Sequence, residues 1–249
     1  MLVLGKGSNI IADDSPLPYV IVKTFPYGKP LILSGVEKDG GIIIKVDASM
    51  PLPRLIAWAN KIGLGDLTHL TGIPGDVGGA FMMNAGSYDS NFCDFIESAE
   101  IVSLKSGHRI VRKSDIVSQY RKTSIKGIED SPIIISVNLK LYLSDQKFLR
   151  HSSKEIMKKK ATTQPVYAKS AGCVFKNPNG ISAGQLLDNL GFRGKSCGGM
   201  SFSFIHANFL VNTAYGKSEQ AFSLIRDAKE VARCRCGIEL HEEVKILSC

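Results

Sequence analysis

Within residues 172–178, Gly-Cys-Val-Phe-Lys-Asn-Pro, a thiol (Cys173) stands four positions before an amide (Asn177), with a cation (Lys176) between them. A proton-bearing side chain, an anion-holding pair and a glycine turn suit chemistry on a small acidic substrate. An ordinary strand followed by a turn would read the same way. The stretch gains weight from two others, 71–87 and 206–243, which carry groups able to complete one site.

Glycine marks two further places. Leu2–Leu4 reads as a strand that runs into Gly5-Lys6-Gly7-Ser8-Asn9, where bare backbone amides could approach a phosphate and Ser8 and Asn9 could add side-chain hydrogen bonds. The pattern is neither a Walker loop nor a full Rossmann fingerprint, and a plain turn is the competing reading. Residues 71–87 hold five glycines, Pro74 and the amide Asn84 in 17 positions, beside Ile73, Val77, Phe81, Met82 and Met83. An irregular surface loop would not carry so many apolar residues. Backbone wrapped around a planar or polyphosphate ligand would, and two such loops argue for a dinucleotide.

The elements that must position these groups are legible in outline. Residues 40–47 and 133–143 read as strands, the second burying Val137, Leu139, Leu141 and Leu143 on one face. Residues 100–104 form another. Leu52, Leu55, Ile56, Ala59 and Ile62 recur at helical spacing before Gly63. A basic helix covers 152–161, and the stretch around it, 147–165, is the expected domain boundary. Residues 173–175 and 207–212 read as strands. Ser182 and Gln185 form a capping-box pattern for a short helix that stops at Gly191. Ala221, Phe222, Leu224, Ile225, Ala228, Val231 and Ala232 trace the buried face of a last helix ending near Gly237. Strands and helices lack regular βα alternation, so the class is α+β.

Composition narrows the field. The chain has 249 residues, 44% hydrophobic and 22% charged, enough for a substantial core in two units. No apolar run approaches the roughly 18–20 residues that span a bilayer, and the start does not read as a signal peptide, so a cytoplasmic location is expected, with no membrane partner. A net charge of +8 favours anionic partners, but the 31 Lys and Arg are dispersed and Lys158-Lys159-Lys160 reads as a solvated helix face. Nucleic-acid binding lacks a module to support it. The six cysteines, at 93, 173, 197, 234, 236 and 249, read as free thiols, and Cys234-Arg235-Cys236 lacks a partner pair at zinc spacing, so no metal is expected.

Taken in order, Gly5–Asn9, 72–80, 83–86, Tyr120-Arg121, 171–178, His206-Ala207-Asn208 and Glu243-Val244 resemble the UDP-N-acetylenolpyruvoylglucosamine reductase family across nearly the whole chain. The resemblance implies an FAD-binding domain of the vanillyl-alcohol-oxidase (PCMH) type at 1–146 and a smaller α+β substrate-binding domain at 147–249. It implies FAD and NADPH as cofactors, and UDP-N-acetylglucosamine enolpyruvate reduced to UDP-N-acetylmuramate for peptidoglycan synthesis. The enolpyruvyl group would receive hydride at C3 from flavin N5 and a proton at C2 from a protein acid.

Roles follow from matched positions. Cys173 stands where the family usually has the proton-donating serine; a thiol, with an ordinary pKa of about 8.5, is a credible acid. Glu243 matches the glutamate at the substrate carboxylate, Val244 fixing the register against Glu242, and Arg121 the arginine that holds that carboxylate. Tyr120, Lys176, Asn177 and Asn208 become substrate contacts. Gly5, Gly7, Ser8, Asn9, Gly72, Pro74, Gly75, Gly78, Gly79, Asn84, Ala85 and Gly86 become FAD contacts. The pattern matches the short form lacking an extra tyrosine-bearing loop. Family members also carry a further stretch ahead of the strand entering Gly5, so the expectation is a chain shortened at its N-terminus and, on present residues, a monomer. A catalytically impaired nucleotide-binding fragment of the same family is the alternative.

Overall fold

The computed structural model describes residues 1–24, 28–88 and 90–248; Cys249, counted above among the free thiols, lies outside them. The chain forms two compact units. The first comprises Met1–Lys6 and Tyr19–Met157, the second Gly7–Pro18 and Lys158–Cys249.

A five-stranded antiparallel sheet organises the first unit, in the order Leu31–Ile32, Gly41–Asp47, Ile133–Tyr142, Ile96–Ser103, Gly107–Arg112. β-Branched and leucine side chains alternate inward along its central strands, so Ile44, Val46, Val137, Leu139 and Leu141 are fully buried. Leu143 is not: it lies beyond the end of its strand and is 61% exposed, which corrects the expectation of a fourth inward residue. The helix Leu52–Ile62 buries Leu52, Leu55, Ile56 and Ala59. Pro51 precedes it, and Gly63, at φ 77°, turns the chain left-handed and ends it.

In the second unit, an antiparallel sheet runs Ser170–Cys173, Phe209–Asn212, Met200–Phe202, Ser196–Cys197. The helix Ser218–Cys236 contributes Ala221, Leu224, Ile225, Ala228 and Ala232 to a core shared with Phe175, Leu187, Phe192 and Phe202. Phe192 and Phe202 meet edge to face, 5.5 Å between ring centres. As the capping-box pattern predicts, Ser182 Oγ accepts the Gln185 N–H at the start of the helix Ala183–Asn189.

The segment Gly7–Pro18 is tied to this unit by its strand Ile10–Ala12, which pairs in parallel with Lys245–Leu247. Asp14 Oδ2 accepts both the backbone N–H (2.8 Å) and the hydroxyl (3.2 Å) of Ser218, and the Asp14 N–H donates to Ser218 Oγ at 3.1 Å. These bonds, the backbone one foremost, hold the Asp14 carboxyl below the usual range.

The basic helix spans Gln146–Thr163, longer at both ends than its sequence pattern. Its lysine run is not wholly solvated. Lys160 is buried, at 4% exposure.

Candidate functional site

Residues 71–87 are more ordered than a wrapped loop. A six-residue helix, Val77–Met82, sits within them and buries Val77, Ala80 and Phe81. Two glycines in its first turn hide it from a periodicity argument. Its N–H groups at Val77 and Gly78 reach back to the Met50 and Ala48 carbonyls at 2.9 and 2.8 Å.

The glycines of the first unit have different reasons to be glycine. Gly72 and Gly75, at φ 84° and 113°, occupy backbone conformations that other residues rarely adopt. A Cβ on Gly78 would press on Ala48 Cβ at 3.0 Å, and one on Gly5 would meet Asp76 Oδ2 at 3.1 Å. One on Gly86 would overlap Asn91 Oδ1 and come within 3.1 Å of Arg121 Nη1. Gly79 alone of these lies inside a helix, is exposed, and has nothing within 4 Å of where a Cβ would be. Packing does not demand glycine there, and a helix interior disfavours it. A bare helix face of this kind fits a ligand that lies against backbone, as a bound FAD would. Pro74 is exposed beside it, while Asp76, next to Gly5, is half-buried. Burial raises the Asp76 pKa, with Lys6 and Lys23 pulling the other way.

Asn84 is engaged differently. It is 5% exposed at φ 41°, its Oδ1 accepts the Cys93 N–H at 3.1 Å, and its Nδ2 donates to the Gln119 carbonyl at 3.1 Å. The carboxamide is thus joined to the turn end of the hairpin Ile116–Gln119 and Lys122–Ile125, whose two-residue turn is Tyr120-Arg121. Arg121 adopts φ 55°, donates from Nη2 to the Gly86 carbonyl at 3.1 Å, and stacks its guanidinium 4.9 Å from the centre of the Tyr120 ring. Ala85 takes the backbone bonds on either side of Asn84, N–H to Ala80 and carbonyl from Phe92, each at 2.8 Å. Gly86, Asn84 and the Tyr120-Arg121 turn therefore form one connected group in the first unit.

The second unit holds another. The strand Ser170–Cys173 pairs Cys173 with Phe209, and beyond it the chain exchanges neighbours. Val174 gives its N–H to the Asn208 carbonyl (2.8 Å) and its carbonyl to the Glu243 N–H (2.7 Å). Phe175 bridges Glu242, and the Lys176 N–H donates to His241 at 2.9 Å. Cys173 and Glu243 are therefore held on either side of one residue. Asn9 joins them, its Nδ2 donating to the Glu243 carbonyl at 3.0 Å. Gly7, at φ 71°, and half-buried Ser8 precede it in the same unit.

Glu242 is paired with Lys229 at 2.7 Å, while the chain bends at Glu243 and Val244, whose N–H groups both donate to the Val174 carbonyl, at 2.7 and 3.3 Å. Asn177 is exposed and its Oδ1 accepts the Ala183 N–H at 3.0 Å, closing the turn toward the short helix. Asn208 is 2% exposed and bonded through its carboxamide to Phe175. His206, for which spacing suggests no role, accepts the Asn208 N–H on Nδ1 at 3.2 Å. Burial, then the nearby Arg193 charge, push the His206 pKa down.

Among the described residues no cluster of three potential metal ligands occurs, and no helix is long and apolar enough to cross a membrane.

Comparison with known proteins agrees with this layout. Residues 1–111 match the family model of an FAD binding domain, and residues 164–247 that of the UDP-N-acetylenolpyruvoylglucosamine reductase C-terminal domain. A UDP-N-acetylenolpyruvoylglucosamine reductase of Nitratidesulfovibrio vulgaris is 43% identical over 248 residues, covering 99% of this chain and 83% of the relative. One from Oleidesulfovibrio alaskensis is 43% identical over 247 residues, 98% of this chain and 82% of that one. The crystal structure of UDP-N-acetylenolpyruvylglucosamine reductase from Thermus caldophilus superposes with a TM-score of 0.81 at 30% identity, covering 99% of this chain and 85% of that chain.

Proposed function

Because this chain belongs to the UDP-N-acetylenolpyruvoylglucosamine reductase family, we propose that it is an FAD- and NADPH-dependent oxidoreductase that reduces UDP-N-acetylglucosamine enolpyruvate to UDP-N-acetylmuramate in peptidoglycan precursor synthesis. The observation that supports this reading is the pairing at Val174, the residue after Cys173, whose carbonyl accepts the Glu243 N–H at 2.7 Å. A proton donor and an acidic side chain on one short stretch are what protonation next to a carboxylate requires.

Bound FAD would accept hydride from NADPH and deliver it to C3 of the enolpyruvyl group. The chain's own residues do the rest. Cys173 gives its proton to C2, where negative charge collects as the double bond is consumed, and the resulting thiolate regains a proton from solvent. Glu243 hydrogen-bonds the adjacent carboxylate. Arg121, planar and permanently charged, holds that carboxylate and steadies its growing charge. Tyr120, Lys176 and Asn177 contact the rest of the substrate. Gly5, Gly7, Ser8, Asn9, Gly72, Pro74, Gly75, Gly78, Gly79, Ala85 and Gly86 would hold FAD through backbone or short side chains, and Asn84 would support them from the interior. The FAD contacts fall within 1–146 and the substrate contacts within 147–249, except for Tyr120 and Arg121, which serve the substrate from the first stretch. The family models over 1–111 and 164–247 support that division. The cytoplasm is the place: none of the five described cysteines is in a disulfide, which suits a reducing compartment.

The test is the visible spectrum of the chain with FAD, taken anaerobically. NADPH should bleach it, and the enolpyruvyl sugar nucleotide should restore it. Flavin that bleaches but is not restored by that substrate refutes the proposed reaction.

Gly79 gives a sharper check on the FAD assignment. Gly79→Ala should raise stability without FAD by about 0.5–1 kcal/mol, the helix preference for alanine. It should weaken FAD binding about tenfold or more, the equivalent of about 1.4 kcal/mol. Thermal melts with and without FAD measure both; unchanged affinity would remove Gly79 from the cofactor surface.

A further inference from the structure

Asn208 sits at the corner where the chain leaves one strand partner for another. Up to Cys173 the neighbour is Phe209–Asn212; from Val174 onward it is 241–243. At such a corner Phe175 would lose its backbone partners. The Asn208 carboxamide supplies them: Oδ1 accepts the Phe175 N–H at 2.9 Å and Nδ2 donates to the Phe175 carbonyl at 2.8 Å. Both residues are nearly inaccessible, 2% and 1% exposed, so water does not compete. Asn208's own carbonyl takes the Val174 N–H at 2.8 Å, and His206 Nδ1 takes the Asn208 N–H at 3.2 Å. Two bonds thus lead from an imidazole through Asn208 to Val174, the residue next to Cys173, whose carbonyl in turn holds Glu243, and two more tie Asn208 to Phe175.

We propose that Asn208 is a positioning residue for the Cys173–Glu243 pair, acting through its two-bond ring on Phe175 with His206 behind it, and not a substrate contact. This rests on the functional reading above. A side chain that mimics a strand edge fixes where the thiol and the carboxyl stand without touching the reacting group. Its amide is turned inward onto Phe175 and the residue is 2% exposed, which keeps it from a substrate. Burial keeps the His206 ring neutral, the state in which Nδ1 accepts.

The experiment measures the two half-reactions separately in Asn208→Asp, which keeps the shape but turns an acceptor onto the Phe175 carbonyl. NADPH reduction of bound flavin should stay within about twofold, and substrate affinity, read from perturbation of the flavin spectrum, within about threefold. Reoxidation by saturating substrate should fall about 10²-fold, the usual penalty for a misplacement near 1 Å. Hydrogen exchange of the 172–178 peptide should quicken in parallel. His206→Leu, which removes only the remote acceptor, should show the same selective pattern at smaller size and keeps the proposal testable where Asn208→Asp does not fold. Loss of substrate affinity with an unchanged saturating rate would make Asn208 a substrate contact and overturn the proposal. So would equal loss in both half-reactions. A wild-type chain whose reduced flavin ignores the substrate refutes the functional reading itself; an active wild type with unselective variants refutes only the positioning role.

Discussion

Cys173→Ala should leave NADPH reduction of bound FAD nearly intact and slow reoxidation by the enolpyruvyl sugar nucleotide about 10²–10⁴-fold, the usual worth of a positioned acid. The asymmetry follows from where the proton is used. Hydride transfer from NADPH leaves no carbanionic charge on a substrate, so it does not need the thiol. Reduction of the enolpyruvyl group does, because C2 must be quenched as C3 accepts hydride. The strand carrying Cys173 is held by Phe209, Asn208 and Glu243 through backbone bonds that alanine keeps, so the fold should survive. Cys173→Ser, which restores a proton on a shorter bond, should recover much of the rate. Stopped-flow traces of each half-reaction decide the matter. Reoxidation at the wild-type rate in the alanine variant would take Cys173 out of the acid role.

The second large effect separates activity from stability. Arg121→Gly should lower substrate reduction about 10²–10³-fold, as loss of one charge-stabilising donor does. Stability should move by no more than about 1 kcal/mol, because strain relief and lost contacts oppose one another. Arg121 holds a left-handed φ of 55° that glycine adopts freely, while its bond to Gly86 and its stacking on Tyr120 disappear. Arg121→Lys should recover little, since an ammonium cannot match a carboxylate with a planar fork. Melting curves beside reoxidation rates test this. Activity and stability falling together would mean that Arg121 serves Gly86 and the hairpin, not the substrate.

Local punctuation made part of this structure legible. Gly63 and Gly237 end their helices in left-handed turns, and Ser182 caps the short helix through Gln185. Each signal is written within a few residues of its effect. The helix Val77–Met82 escaped because Gly78 and Gly79 suppress propensity there, and tertiary bonds to Ala48 and Met50 anchor it instead. Leu143 and Lys160 were misjudged because burial depends on where a strand ends and what covers a helix. Asn84 and Asn208 are the instructive pair. A carboxamide in a glycine-rich or strand-flanking motif reads as a ligand contact, yet it can equally imitate a peptide group. Only the fold shows that both are turned inward, on Gln119 and Phe175. The role of Arg121 came from family likeness, since an arginine in a two-residue turn has no periodicity to betray it.

Neither unit is an unbroken stretch of chain, and this sets the order in which the protein can be completed during synthesis. The strand Ile10–Ala12 leaves the ribosome 235 residues ahead of its partner Lys245–Leu247, and the Glu243 carbonyl emerges 234 residues after the Asn9 that binds it. Ser218, which clasps Asp14, comes 204 residues behind it. Until then the strand Ile10–Ala12 lacks Lys245–Leu247 and stays open to chaperones, proteases and wrong partners. Asn9 and Glu243 can meet only once nearly all of these residues exist, so a nascent chain cut short anywhere before that point has no competent site to misuse.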